Sequence, residues 1–175
     1  MFIKSSVFLL MLILVAHRAL AEPPFDVIQS CMGGKNDAFT LKIADLEDDG
    51  FISTPDAFCE AQYSRHFGTH FFGTVVCEDE FFLILNHKKV RLDTAINHSL
   101  NSKIKPGIPF SVRSFWKKID FKDQAYLCIE SPLSESGAGA SINQYYIVEH
   151  GFEETKMPIV YYYFFNGDIK PVFPT

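Results

Sequence analysis

The acidic stretch of residues 45–56 carries oxygen-bearing side chains at a spacing that could bind a metal ion. It reads Asp-Leu-Glu-Asp-Asp-Gly-Phe-Ile-Ser-Thr-Pro-Asp, with oxygen donors at alternate positions and a glycine directly after the third of them. A chain with this spacing can wrap around a hard cation that prefers oxygen ligands. The candidate calcium ligands are Asp45, Glu47, Asp49, the carbonyl oxygen of Phe51, Ser53 and Asp56.

These twelve residues resemble an EF-hand loop, and the resemblance implies a calcium site. It covers no more than this stretch, and it departs from the family in several ways. Glu47 stands where Asp or Asn is usual, Asp56 is shorter than the usual Glu, the preceding segment is typical of a strand, and there is no second loop of this kind. The alternative is a β-hairpin whose tip is Asp48-Asp49-Gly50, with solvated carboxylates.

Other motifs that fix a chemistry are missing from the sequence. We find no His-Glu-x-x-His, no Gly-x-Ser-x-Gly, no Cys-x-x-Cys and no dinucleotide fingerprint. His66 and His70 stand four residues apart, but on the expected strand their side chains would be roughly 13 Å apart, too far to share a metal ion. The sequence therefore predicts a protein that is not an enzyme.

The N-terminal residues 1–21 have the features of a signal peptide. Lys4 supplies a positive start, residues 7–16 are apolar, and Ala19-Leu20-Ala21 forms a cleavage site of the small-x-small type. We expect a protein that is secreted, or periplasmic if the source is a Gram-negative bacterium, with a single β-rich domain over residues 22–175. No cysteine follows the cleavage site and no later segment is long enough to span a bilayer, so we expect no membrane anchor.

The four cysteines are Cys31, Cys59, Cys77 and Cys128, and all follow the expected cleavage site. An even number of cysteines in an exported chain predicts disulfides, here two. Three pairings are possible, and we expect Cys31–Cys59 with Cys77–Cys128. A zinc site is the alternative, but the spacing does not match zinc motifs.

The charge balance limits the class of partner. The sequence has a formal net charge of −5, and removal of Lys4 and Arg18 with the signal peptide makes it −7. An acidic surface disfavours nucleic acid and anionic membranes, and it permits a basic protein partner.

The C-terminal stretch predicts a β-hairpin, because Asn166-Gly167 lies between two apolar runs and suits a type I′ turn. Side chains alternate across a strand, so Val160, Tyr162 and Phe164 share one face, which we expect to be core. The other face carries Tyr161, Tyr163 and Phe165, and it is either covered by another element or an exposed aromatic platform.

The remaining segments predict a mainly β fold, an antiparallel barrel or sandwich with one short helix and two disulfides. We expect eight or more short strands. Thr54–Tyr63 is the predicted helix, because Thr54 can cap it and Pro55 suits its first position, and Glu22–Ser30 is expected to be an extended arm.

We therefore expect an exported, non-catalytic module that binds another macromolecule, such as an inhibitor or immunity-type protein. Tyr161, Tyr163 and Phe165, with the small-residue loop Ser131–Ser141, are the predicted contact surface. The alternatives are a small-molecule carrier with a β-barrel and a calcium-binding protein that uses residues 45–56.

Overall fold

Two stacked β-sheets and one α-helix make up the computed structural model, which describes residues 22–33, 41–53, 57–60, 62–99 and 103–164. Helix α1 spans Phe25–Gly33. The strands are β1 (Leu41–Asp45), β2 (Glu47–Ile52), β3 (Gln62–Phe67), β4 (His70–Cys77), β5 (Glu80–Leu85), β6 (Lys88–Arg91), β7 (Ile96–Asn97), β8 (Phe115–Phe121), β9 (Gln124–Pro132), β10 (Asn143–Glu149) and β11 (Ile159–Phe164). Short 3₁₀ turns occur at Leu92–Thr94, Ser111–Arg113 and Ala138–Ser141.

The strands form a sandwich rather than a closed barrel. The first sheet has the order β1-β8-β9-β10-β11-β7, and the second runs β2-β3-β4-β5-β6 in chain order. All the pairs are antiparallel except β7 with β11, which is parallel and short. The predicted mainly β fold with a sandwich architecture and two disulfides is confirmed.

The chain passes from the first sheet to the second at Leu46. Asp45 pairs with Lys117 of β8, whereas Glu47 pairs with His66 of β3. The N–H of Leu46 donates to the carbonyl oxygen of Trp116 at 2.9 Å, and its side chain is buried. One continuous segment therefore joins the two sheets along one side of the sandwich.

The main core lies between the sheets and is rich in aromatic side chains. Phe72 and Leu83 of the second sheet pack with Trp116, Tyr146 and Tyr162 of the first. Two of these side chains have hydrogen-bond partners for their polar ends: Trp116 Nε1 donates to Ser114 Oγ at 2.7 Å, and the Tyr146 hydroxyl donates to the carbonyl oxygen of Gly107. Large side chains thus occupy the space that a carried ligand would need.

A second core lies under α1, on the outer face of the first sheet. Val27, Ile28 and Cys31 of the helix pack against Tyr161 and Tyr163 of β11. The helix starts after two prolines, and the carbonyl oxygen of Pro24 accepts hydrogen bonds from the N–H groups of Val27 and Ile28. The expectation of an extended arm over residues 22–30 was wrong, because this segment buries an apolar helical face.

The helix predicted over Thr54–Tyr63 was also wrong. Residues 57–58 form a turn, Cys59 makes a β-bridge with Cys77, and residues 62–63 belong to β3. Residues 54–56 and 61 lie outside the described part of the chain. Cross-strand pairing with β4 outweighs the local capping pattern.

The disulfides are Cys31–Cys128 and Cys59–Cys77, so the expected pairing was wrong. Helix α1 lies across the first sheet and brings Cys31 onto Cys128 of β9. The antiparallel extension of the β3–β4 pair places Cys59 opposite Cys77. Both pairings depend on how helix and strands pack in three dimensions. The spacing of the cysteines in the sequence does not reveal this.

Strand β11 is internal, between β10 and β7. Val160, Tyr162 and Phe164 lie in the main core, as their alternation predicts. The Asn166-Gly167 turn and the strand expected after it, over residues 168–173, lie outside the described residues.

We predict that Gly73→Ala destabilises the protein by about 1–3 kcal/mol, the usual cost of overpacking a tight site. A Cβ at Gly73 would lie 2.5 Å from the carbonyl oxygen of Tyr63 and 2.9 Å from the side-chain nitrogen of Gln62. The measurement is the free energy of unfolding in denaturant. Gly33→Ala is the matched control, since a Cβ there meets nothing within 4 Å. Equal stability of the two variants would refute the close approach.

Candidate functional site

The predicted aromatic contact face is buried. Tyr161 is 0% exposed and Tyr163 is 4% exposed, because α1 covers this side of β11. The Tyr161 hydroxyl donates to Glu149 Oε2 at 3.1 Å, and the Tyr163 ring stacks on His98 with a centroid distance of 5.2 Å. The prediction that Tyr161 and Tyr163 form a binding surface was therefore wrong, and Phe165 lies outside the described residues.

All seven tyrosines have a raised pKa, and burial is the main cause. Burial, with a further contribution from the Glu149 carboxylate, raises the pKa of Tyr126 to about 12. Burial raises the pKa of Tyr162 to about 12. These hydroxyls therefore stay protonated at neutral pH and do not act as bases, and those of Tyr126, Tyr146 and Tyr161 donate hydrogen bonds.

We predict that tyrosine ionisation and unfolding occur together at alkaline pH. The pKa values in the folded protein lie above the value of about 10 for an exposed tyrosine. The stabilisation is therefore complete below that pH and is lost as the pH rises towards the folded values. Tyrosinate absorbance and far-ultraviolet circular dichroism should change in one steep transition. A tyrosinate signal that rises well before the circular dichroism changes would contradict the burial.

The acidic stretch forms extended strand instead of a loop around one ion. Asp45 belongs to β1, while Glu47 and Asp49 belong to β2 of the other sheet. Both of these β2 carboxylates lie beside His66, at 3.4 Å and 2.7 Å. The described residues contain no group of three or more His, Cys, Asp or Glu side chains placed to hold a metal ion.

Neither of the two sequence-based hypotheses for this stretch describes the strand correctly. The expected EF-hand-like site is not assembled by the described residues, and Asp56 lies outside them. The alternative hairpin tip at 48–50 is not a tip, because these residues lie within β2. Here the register shifts by one residue between Asp48 and Gly50, which makes a β-bulge, and Gly50 has a φ of 73°.

The bulge determines which way Phe51 points. Asp48 pairs with Arg65, and after the bulge Phe51 pairs with Tyr63. Side chains alternate along a regular strand, so if this sequence formed a strand with no bulge, Phe51 would lie on the opposite face of the sheet from Asp48. Glycine suits the bulge because it adopts positive φ without steric cost.

We predict that calcium does not raise the melting temperature of the oxidised protein. A ligand that binds the folded state must stabilise it by mass action, and the extended acids offer no shared centre. The measurement is a thermal melt in calcium and in chelator, with magnesium as the control for ionic strength. A rise in melting temperature that is specific to calcium, and that Asp45→Ala abolishes, would show that these acids do share a calcium site.

A junction between the sheets lies beside the bulge. Arg65 is buried, and its Nη2 lies 3.2 Å from the Asp48 carboxylate and donates to the carbonyl oxygen of Ser114 at 3.1 Å. Burial opposes ionisation of Asp48, but hydrogen bonds from the Tyr63 hydroxyl and the Gly50 N–H, with the charge of Arg65, lower its pKa overall. The junction fixes β2 relative to the chain that enters β8.

An open cleft of about 480 Å³ lies at the end of the sandwich next to this junction. One wall is formed by β2 and β4, and the other by the segment that precedes β8. Its apolar lining consists of Phe51, Val76, Ile108, Pro109, Phe110 and Val112. This cleft is our candidate binding site.

Two of the lining side chains are well exposed, Phe51 at 63% and Val112 at 75%. The Phe51 ring meets Tyr63 edge-on at 5.0 Å. Val112 lies in a 3₁₀ turn that is closed by a hydrogen bond from the N–H of Arg113 to the carbonyl oxygen of Phe110. Exposed apolar groups on an ordered strand and turn, beside an open cleft, are typical of an interaction site.

The cleft has charged residues at its edges. Glu60, Arg113 and Glu135 line it, and Arg113 Nη1 donates to the main-chain oxygen of Glu135 at 2.9 Å. Glu135 belongs to the small-residue loop Ser131–Ser141, so the structure places that part of the predicted contact surface beside the cleft. Phe51 was predicted only as a calcium ligand through its carbonyl oxygen, and neither its side chain nor Val112 was predicted as a contact. The glycine directly before Phe51 was the clue that could have indicated a bulge there.

A second open pocket, of about 440 Å³, lies where α1 meets the β8–β9 turn. Its polar groups bind one another. The Tyr126 hydroxyl donates to Gln124 at 2.9 Å, and Gln124 donates in turn to Glu149 at 2.7 Å. His150 and Glu153 are 2.7 Å apart. These contacts make Gln124, Tyr126, His150 and Glu153 part of a structural network.

Comparison with known proteins gives no family: no protein-family model, no curated protein and no solved structure matches the chain. Within the described ranges, no helix is long and apolar enough to cross a membrane.

Proposed function

We propose that this is an exported, non-catalytic binding protein that holds a polypeptide partner in the cleft beside Phe51 and Val112. The observation that carries the proposal is the exposure of these two large apolar side chains on ordered backbone. A partner that covers them removes apolar surface from water, which favours association by roughly 25 cal/mol per Å² before the costs of binding are subtracted.

The charge around the cleft favours a basic partner. Of the three charged residues that line the cleft, Glu60 and Glu135 are acidic and Arg113 is basic, and Glu78 and Asp79 are exposed in the turn after β4. The N–H of Glu78 donates to the carbonyl oxygen of Phe58, so this turn adjoins the segment that carries Glu60. We therefore propose a partner segment with apolar side chains that are flanked by Lys or Arg, since complementary charge favours encounter and register.

The two disulfides support an oxidising compartment, as expected of an exported protein. An inhibitor or immunity-type role would fit this setting, with another exported protein as the partner. The alternative of a small-molecule carrier is less well supported, because Trp116, Tyr146 and Tyr162 fill the space between the sheets.

The test is peptide binding by fluorescence polarisation. The probes are labelled peptides that alternate Phe or Leu with Lys, and matched peptides with Glu in place of Lys. We expect the lysine peptides to bind in preference, and Phe51→Ser or Val112→Ser to weaken binding about tenfold or more, as for the truncation of an interface hot spot. Added salt should weaken binding, because the rim contacts are exposed charges.

Met157→Ser is the matched control. Met157 is 78% exposed, so the substitution removes a comparable apolar group, but it does not line the cleft. Equal affinity of all three variants for the lysine peptides would place binding elsewhere. Preference for the glutamate peptides would overturn the charge argument.

A further inference from the structure

The two disulfides have very different surroundings. Cys31 and Cys128 are fully buried under α1. Cys59, in contrast, is only half-buried, on a short bridge at the end of β4. Reagents in solution can therefore approach the Cys59 sulfur more readily than either sulfur of the buried bond.

A lysine lies against the more accessible disulfide. Lys89 Nζ is 2.9 Å from Cys77 Sγ and 3.6 Å from Cys59 Sγ. The same ammonium group lies 4.4 Å from the centroid of the Phe82 ring, a cation–π contact that holds it over this face of the sheet. The positive charge is therefore positioned at the sulfurs.

We propose that Cys59–Cys77 is a thiol-exchange site at which an external thiolate, such as that of a small thiol or a dithiol reductant, forms a mixed disulfide with Cys59. Exchange needs an accessible sulfur to attack and a leaving thiolate that is stabilised. Cys59 is the more exposed residue of the pair, and the sulfur of Cys77 is the one nearest to the Lys89 ammonium. A nearby cation favours the thiolate form of a cysteine.

The electron balance is that of ordinary thiol–disulfide exchange. The external thiolate forms a bond to Cys59 Sγ, the Cys59–Cys77 bond breaks, and Cys77 leaves as a thiolate beside Lys89. A second external thiolate then attacks the external sulfur of the mixed disulfide, and the Cys59 thiolate leaves. Both cysteines end reduced, and the reductant ends as its own disulfide.

The carboxylate of Glu80 is near the disulfide but does not neutralise the charge of Lys89. Glu80 is the cross-strand partner of Cys77, and its carboxylate lies 2.9 Å from Arg91 Nη1. Arg91, which also binds Asp93, therefore offsets part of the charge of Glu80. The ammonium of Lys89 is the charged group placed in contact with both sulfurs.

Exchange at this site should leave the fold intact. The N–H of Glu60 donates to the carbonyl oxygen of Val76 at 2.8 Å, and the N–H of Glu78 donates to that of Phe58 at 3.2 Å. These main-chain bonds hold the bridge segment after the S–S bond opens, and the buried Cys31–Cys128 bond is unaffected. This chemistry does not depend on the binding function proposed for the cleft.

The test is exposure of the oxidised protein to glutathione, followed by alkylation and peptide mapping by mass spectrometry. We expect the glutathione adduct on Cys59, while Cys31–Cys128 stays oxidised and the circular dichroism is unchanged. Lys89→Gln should slow the reaction about threefold to tenfold, because the leaving thiolate loses its cation. Lys89→Arg should keep the rate near that of the unmodified protein.

Lys42→Gln is the control, since it removes the same charge at an exposed position of β1. Reduction of both disulfides at equal rates, or an adduct mainly on Cys77, would overturn the proposal. So would a rate for Lys89→Gln that equals the rate for Lys42→Gln. The position of the glutathione adduct in the unmodified protein tests the proposed attack at Cys59 even if a variant folds poorly.

Discussion

The guanidinium of Arg65 is the contact on which the arrangement around the cleft depends. The chain leaves the first sheet at Leu46, so the ladder that joins β1 to β8 does not continue between β2 and the chain that enters β8. Arg65 spans this opening by binding Asp48 on one side and the Ser114 carbonyl on the other. A buried charge is stable only when it is paired and hydrogen-bonded, and Asp48 has a lowered pKa that keeps it ionised as the partner. These contacts of Arg65 therefore fix the positions of the two walls of the cleft.

Periodicity predicted which residues of β11 share a face, but it could not predict what covers each face. Val160 and Tyr162 were expected in the core and are there. Tyr161 and Tyr163 alternate with them, and they are equally buried because α1 packs on their side. The helix comes from the other end of the chain and is short, so its sequence pattern is weak. An aromatic face that looks exposed in the sequence of one strand can therefore be the floor of a second core.

Cysteine spacing and the acidic pattern failed for a related reason, since both were interpreted as local signals. The number of disulfides was predictable, but the partner of Cys31 is decided by where α1 lies on β9. In the acidic stretch, residue types match a calcium loop, yet Glu47 and Asp49 flank His66 across a strand pair. Cross-strand register decides which groups meet in a sheet, and register is set by long-range pairing that a window of twelve residues does not contain.

The glycine that completes the calcium-like pattern has a different role in the fold, and that role creates the candidate site. Gly50 adopts positive φ at the bulge, and the inserted residue turns Phe51 onto the same face as Asp48 and Tyr63. In a regular strand Phe51 would point away from the cleft. Bulges commonly occur at sheet edges, where they redirect a side chain, and β2 is an edge strand among the described strands of its sheet. An exposed phenylalanine on such an edge risks aggregation, so its placement beside an open apolar cleft supports the proposal that a partner covers it.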